Sequence, residues 1–311
     1  MQNNEVSFVG VKRIDNILKV EDNQNAVFEI GSITKVFTST LLAEDILDGN
    51  VTLDESIQDI LSYSLKQSKL NGSPITYLTL ANHTSGLPRL PDNMNEEIQK
   101  NPDNPYVDYN DTKLQFYLEN QMKLVSIPGE NYAYSNLGVG LLGYLMELKS
   151  GHNYEDLLQE KIFKVYEMTS STTDRSKIQN KLVPGLDDKG EVTLNWDLNA
   201  LKGAGAILSS TTDLSKFALA NLESNPVFDL QKEITFTVNA DMDLALGWHV
   251  LKSSSGNTYY WHNGGTGGYR SSLTIDHNSK IAVVILSNVS AFNSKSENID
   301  QLGFDLIKTL E

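Results

Sequence analysis

The chain opens with short runs in which apolar and polar residues alternate. Val6, Phe8 and Val11 form the first, Ile17, Leu18 and Val20 the second, and Val27, Phe28 and Ile30 the third. Breakers at Asp15-Asn16 and Asp22-Asn23 separate them, which predicts strands joined by hairpins. From Ser32 the period lengthens: Val36, Leu41, Leu42 and Ile46 share one helical face, and Gly49-Asn50 closes the run. Residues 88–105 are rich in Pro, Asn and Asp and read as a long surface excursion. Helical patterns follow over 113–123, 137–149 and 154–163. Beyond Leu244 alternation returns, predicting strands over 245–251, 258–262, 271–276 and 281–287, and an amphipathic helix over 299–310. Strands at both termini with helices between predict an α/β (α+β) fold. Its sheet is built from both chain ends and flanked by helices, with a mainly helical region inserted.

Composition narrows the class of partner. The 311 residues carry 25 basic and 40 acidic side chains, a net charge of −15, which would repel duplex nucleic acid and anionic membranes alike. Without cysteine there is neither a disulfide framework nor a thiolate metal site. The longest apolar run, 281–286, suits a buried strand and is far too short to span a membrane. The opening Met1-Gln2-Asn3-Asn4-Glu5 lacks the basic start and apolar stretch of a signal peptide, as the residue of a cleaved leader also would.

The segment Phe28-Glu29-Ile30-Gly31-Ser32-Ile33-Thr34-Lys35 carries the first candidate chemistry. Serine is a favoured helix cap, but a capping box wants Glu or Gln where this chain has Lys35. A cation in the first turn opposes the helix dipole, a local conflict expected where function overrides stability. One turn apart on one face, the Lys35 amine can take the Ser32 proton, and burial favours the neutral amine that a base needs. Tyr134-Ser135-Asn136 precedes the apolar run 137–143; here a tyrosine can pass protons and Asn136 can orient a substrate amide. The plainer alternative is a packed tyrosine beside a capping Ser or Asn. His262-Asn263-Gly264-Gly265-Thr266-Gly267-Gly268 ends a strand; its glycines let substrate approach the backbone, where a free N–H can bind an oxyanion. An ordinary glycine-rich hairpin would look the same.

Ser-x-x-Lys, Tyr-x-Asn and His-x-Gly in this order resemble the serine β-lactamase and penicillin-binding-protein superfamily. Tyr-x-Asn is similar to the branch holding class C β-lactamases, D,D-carboxypeptidases and esterases. Leu80-Ala81-Asn82-His83-Thr84-Ser85-Gly86-Leu87-Pro88, Tyr134-Ser135-Asn136-Leu137-Gly138 and Gly203-Ala204-Gly205 with Ser209–Leu214 resemble further segments of that branch. The resemblance implies a β-lactamase/transpeptidase-like fold, with a sheet domain of 1–60 and 205–311, a helical domain of 61–204, and the active site between them. It implies an acyl-enzyme mechanism without cofactor or metal: Ser32 as nucleophile, Lys35 and Tyr134 as shared base, and the backbone N–H groups of Ser32 and Gly265 around the oxyanion. Asn136, His262, Gly264 and Gly265 would contact substrate. It further implies an exported protein, periplasmic or at the cell surface.

Histidine stands where lysine is usual in the third motif. A permanent cation is thereby replaced by a side chain that, near its reference pKa of about 6.5, is mostly neutral at pH 7. Arg270 would offset that loss by meeting a substrate carboxylate, or would pair with one of the many acids. His83 reads as fixing its loop, and His152, His249 and His277 show no metal-ligand spacing. Lys149-Ser150-Gly151 mimics a Lys-Thr/Ser-Gly motif but reads as a helix C-terminus. Glu191-Val192-Thr193-Leu194-Asn195 mimics a class A motif, while the alternation of Val192, Leu194 and Trp196 reads as a strand. The expected function is serine hydrolysis of β-lactams, D-amino-acid peptides or esters, all small-molecule substrates. The alternative is a penicillin-recognising or cell-wall-sensing binding domain with little or no turnover.

Overall fold

Most elements lie where side-chain periodicity puts them. In the computed structural model, which describes residues 1–2, 5–15, 17–178, 180–253 and 256–311, strands β1 (Val11–Ile14), β2 (Ile17–Val20) and β3 (Val27–Glu29) precede helix α1 (Thr34–Leu47). Short strands β4 (Lys69–Leu70) and β5 (Ser73–Pro74) lead to helices α2 (Tyr77–Ala81), α3 (Asn95–Lys100), α4 (Asp111–Asn120), α5 (Asn136–Ser150) and α6 (Tyr154–Leu158). After β6 (Leu208–Ser210), α7 (Thr211–Leu222) and α8 (Pro226–Lys232) come β7 (Phe236–Thr237), β8 (Met242–Ala245), β9 (Trp248–Lys252), β10 (Thr258–Gly265), β11 (Arg270–Asp276) and β12 (Ile281–Ser287). Helix α9 (Asn298–Leu310) closes the chain.

The main sheet is antiparallel, six-stranded and ordered β12-β11-β10-β9-β8-β7. Alternation along β12 sorts its two faces. Ile281, Val283 and Ile285 pack with Ile307, Phe304 and Leu310 of α9. Ala282, Val284 and Leu286 instead join the large core that α1, α5, α6 and α7 fill from the other side. At its centre Phe37 stacks on Phe217, ring centroids 4.1 Å apart. The result is an α/β fold with helices on both faces of an antiparallel sheet.

Several expectations need correction. Among the described residues, the sheet draws its strands from one end of the chain; β1 and β2 pair with each other, and β3 pairs with β6. Every residue of β1 and β2 is exposed, so neither strand has a buried face to dock on the sheet. Among the described residues, the N-terminal end reaches it through a bridge between Gln2 and Ile281 and the hydrogen bonds between Met1 and Ala282. The predicted strand 245–251 is two strands, because Leu246-Gly247 turns the chain, with Gly247 at φ +73°. A Cβ there would lie 2.8 Å from the Lys35 carbonyl oxygen, so this turn packs directly on α1. Residues 192–196 form no strand; Val192 and Leu194 are solvent-facing, and a single bridge joins Val192 to Leu186. The excursion 88–105 contains a 3-10 turn and α3, with Met94 and Glu97 buried. The reading of Asn3, Asn4 and Asn16 lies outside the described residues.

Candidate active site

Strand β3 ends in a fixed address: the Ile30 N–H donates to the Ile207 carbonyl at 3.1 Å, on the chain leading into β6. Gly31 then turns through φ +50°, a region that suits glycine, and Ser32 follows within a 3-10 turn. Neither that turn nor α1 is capped by a side chain, so Ser32 is not spent as a helix cap. It is half-buried, and the glycine before it packs against Gly264 and Gly265 of β10.

Lys35 is fully buried, with its Nζ 3.0 Å from Ser32 Oγ and donating to the Ala204 carbonyl at 2.7 Å. Burial first, and the charge of Arg89 second, hold its amine well below the ordinary lysine range. Glycines on α5 bring Ala204 within reach. A Cβ on Gly140 would lie 2.7 Å from Leu201, and one on Gly143 3.0 Å from Gly203 Cα, so any larger residue would push the 201–204 segment away.

Tyr134 is set by the turn into α5. The Ser135 hydroxyl accepts from the Gly138 N–H at 2.8 Å and donates to the Pro88 carbonyl at 2.7 Å. Its own N–H donates to His83 Nδ1 at 3.1 Å, while His83 itself adopts φ +60°. Thus Ser135, not Asn136, is the cap, and His83 fastens the turn. Burial raises the pKa of the Tyr134 hydroxyl above the ordinary phenol value, with the neighbouring Ser32 acting the other way, so the phenol is neutral. Asn136 Nδ2 donates to the Tyr106 hydroxyl at 3.2 Å, and its buried Oδ1 has no partner among the described residues.

The third motif forms the opposite wall. A Cβ on Gly264 would lie 1.9 Å from the Ile30 carbonyl oxygen, which also accepts from Ser271 Oγ at 2.8 Å, so β10 must present glycine there. His262 is buried; its Nδ1 donates to the Asn263 carbonyl at 2.6 Å, and Nε2 has no partner among the described residues. Its ring centroid is 6.3 Å from that of Tyr134, without a hydrogen bond between them. Burial, then His249 and Lys35, hold its imidazole well below the usual histidine range, hence neutral. Arg270 is ion-paired with Asp300 of α9, which also accepts from Asn263 Nδ2 at 2.9 Å.

The structure therefore brings Ser32, Lys35, Tyr134, Asn136, His262, Gly264 and Gly265 together, and directs Arg270 to α9. The two mimic motifs fall elsewhere. Lys149 lies in the last turn of α5, 3.9 Å from Glu55, and Gly151 at φ +73° ends that helix. Asn195 donates to Glu29 Oε1 at 2.7 Å. Reading the sequence missed three neighbours. His249, 5.2 Å from His262 between ring centroids, is held down to about 4 by burial and by Lys35. Tyr106 supports Asn136, and the Arg89 guanidinium lies 5.0 Å from the Tyr134 ring centroid. Arg89 stands beside a recognised segment, whereas nothing local marks Tyr106 or His249.

A family model described as Beta-lactamase matches residues 7–306. The chain is 27% identical over 308 residues to the D-alanyl-D-alanine-carboxypeptidase/endopeptidase AmpH of Escherichia coli K12, covering 92% of this chain and 78% of that one. It is 26% identical over 291 residues to penicillin-binding protein 4* of Bacillus subtilis, covering 85% of this chain and 61% of the relative. Among solved structures, a β-lactamase/D-alanine carboxypeptidase from Yersinia pestis shares its fold, with a TM-score of 0.78, 22% identity, and coverage of 96% of this chain and 87% of that one.

Proposed function

Since the chain belongs to the beta-lactamase family and is a serine hydrolase, we propose that Ser32 is its nucleophile and that β-lactams, D-amino-acid peptides or esters acylate it. One observation carries this reading: a buried amine, kept neutral by its surroundings, 3.0 Å from a serine hydroxyl. Lys35 accepts the Ser32 proton as the hydroxyl attacks the carbonyl carbon. The oxyanion is received by the N–H groups of Ser32 and Gly265. Tyr134, protonated because its phenol is buried, gives its proton to the departing group; the proton held by Lys35 makes up that loss. Water then attacks the acyl carbon, and the same groups act in reverse. Asn136 lends its unpartnered Oδ1 to a substrate N–H, and neutral His262 offers Nε2 to the substrate. With Arg270 engaged by Asp300, its role is to hold β11 to α9. The site lies between a sheet unit of 1–60 and 205–311, which carries Ser32, Lys35 and Gly265, and a helical unit of 61–204, which carries Tyr134 and Asn136.

Intact-protein mass spectrometry after adding a penicillin, beside turnover of a chromogenic cephalosporin, a nitrophenyl ester and a D-alanyl anilide, tests the reading. Turnover of any substrate, lost in Ser32→Ala, supports it and identifies the substrate class. A stable adduct without turnover favours the sensing alternative, and an adduct on Ser32→Ala removes Ser32 from the scheme.

A further inference from the structure

Two basic side chains lie over the ring of Tyr134. Lys35 Nζ is 4.9 Å from the ring centroid and the Arg89 guanidinium carbon 5.0 Å from it. Lys35 is fully buried, whereas Arg89 is exposed. The backbone of Arg89 is nevertheless fixed: its carbonyl accepts from the N–H groups of Asn136 at 3.0 Å and Leu137 at 3.1 Å. The turn that sets Tyr134 therefore also sets Arg89. Its guanidinium pairs with no carboxylate among the described residues, although the chain has 40 acidic side chains. Other basic groups near the site are engaged: Arg270 by Asp300, Arg175 by Asp197 and Lys202 by Glu147.

Its place on the wall of the site also follows from its neighbours. Its guanidinium lies over the Tyr134 ring while its carbonyl holds the turn at Asn136, so it stands on the Tyr134–Asn136 side. On the other wall the nearby guanidinium is that of Arg270, beside Gly265 and held by Asp300. The β10 wall thus offers a neutral imidazole and an occupied guanidinium, while the Tyr134–Asn136 wall offers a guanidinium fork ready for an anion.

Resting on the hydrolase reading above, we propose that Arg89 anchors the substrate: the site selects acyl donors carrying a carboxylate, held against the Tyr134–Asn136 wall rather than against β10. A planar guanidinium beside an aromatic face binds carboxylate through two parallel N–H donors. The exposed position leaves it free to release product once the acyl group is hydrolysed.

Two matched pairs of substrates test this. The first pair is the nitrophenyl monoester of glutaric acid and nitrophenyl valerate, which differ by a carboxylate in the acyl part. The second is an acyl-D-alanyl-D-alanine and its C-terminal amide, which differ by a carboxylate in the leaving part. Arg89→Gln is expected to lower the acid-to-neutral ratio of kcat/KM at least about tenfold in one pair, mainly through KM, with Arg89→Lys retaining part of it. The pair that responds locates the carboxylate. A ratio that stays within about twofold in both pairs overturns the anchor while leaving the hydrolase intact. A wild-type protein that turns over none of the four, nor the chromogenic cephalosporin, removes the proposed hydrolysis, and this inference with it.

Discussion

Gly31 and Gly265 meet backbone to backbone: a Cβ on Gly31 would lie 2.7 Å from the Gly265 amide nitrogen. Gly31 also sits at φ +50°, so a side chain there is opposed by conformation and by space together. The contact brings the amides proposed to receive the oxyanion onto one pocket, on two segments more than two hundred residues apart in the chain. Gly31→Ala is therefore expected to cost about 2 kcal/mol of stability and to slow acylation at least about 100-fold. Thermal melting and the rate of penicillin adduct formation check both, and a stable, rapidly acylated variant would show that the close approach is dispensable.

Lys35 stabilises nothing by charge, because it has no acidic partner among the described residues and is held neutral. Lys35→Met is expected to keep or raise the melting temperature while slowing acylation by about 100-fold to 10000-fold. The pH dependence carries a second signature. With its folded pKa lowered, Lys35 is less protonated in the folded chain than in the unfolded one. Stability should then climb as pH rises toward the unfolded value of about 10.4, and Lys35→Met should flatten that climb. A variant with the same alkaline slope as the parent would mean that the amine is charged in the fold.

Glu29 behaves in the opposite sense. It is buried on β3; burial raises its carboxyl from 4.5 to about 7 against hydrogen bonds from Asn195 and the Trp196 N–H. A raised folded pKa gives stability that is complete below the unfolded value and is lost as pH rises through about 7. Glu29→Gln keeps the shape of the protonated acid, so it should gain on the parent between pH 5 and pH 8. Paired thermal melts at those two values decide it; a constant difference would place an ionised carboxylate in the core.

The catalytic candidates were legible because their evidence is local. Ser32 and Lys35 lie within a helical turn, and the glycines of 264–268 advertise a backbone that something must approach. Tyr134 stood out through its neighbours in sequence. Arg89, Tyr106 and His249 were not legible, since each reaches the site only through tertiary packing of a separate segment. The same distinction explains the sheet. Alternation in β9 to β12 made strands predictable, but which strands pair is decided by burial, and the exposed β1 and β2 had no face to offer. Val192 and Leu194 show that alternation without burial makes no strand.

Three histidines make the acid side of the stability curve steep. His83, His249 and His262 are buried within 6.5 Å of one another along the chain of ring contacts, with all three imidazoles held below their ordinary value. Burial is the largest cause for each. Depressed folded pKa values give stability that is present above about pH 6.5 and is lost as pH falls, down to about 4 for His249. Each histidine that binds a proton only in the unfolded chain contributes a slope of about 1.4 kcal/mol per pH unit. Glu29 opposes them by one proton over the same interval, because it is protonated in the fold while the unfolded carboxyl ionises. Denaturant melts from pH 6.5 to pH 5 should therefore lose stability as the three imidazoles of the cluster resist protonation in the fold. His249→Gln should reduce the slope of that loss and Glu29→Gln should increase it, so the two variants are expected to diverge as pH falls. His83 adds a functional consequence: protonated at Nδ1, it can no longer accept from the Ser135 N–H that fixes the Tyr134 turn. Acylation should accordingly fade at acid pH and return on neutralisation, before global unfolding is reached. Parallel slopes in the parent and His249→Gln would show that His249 is protonated in the folded protein, and would take the neutral cluster out of the account.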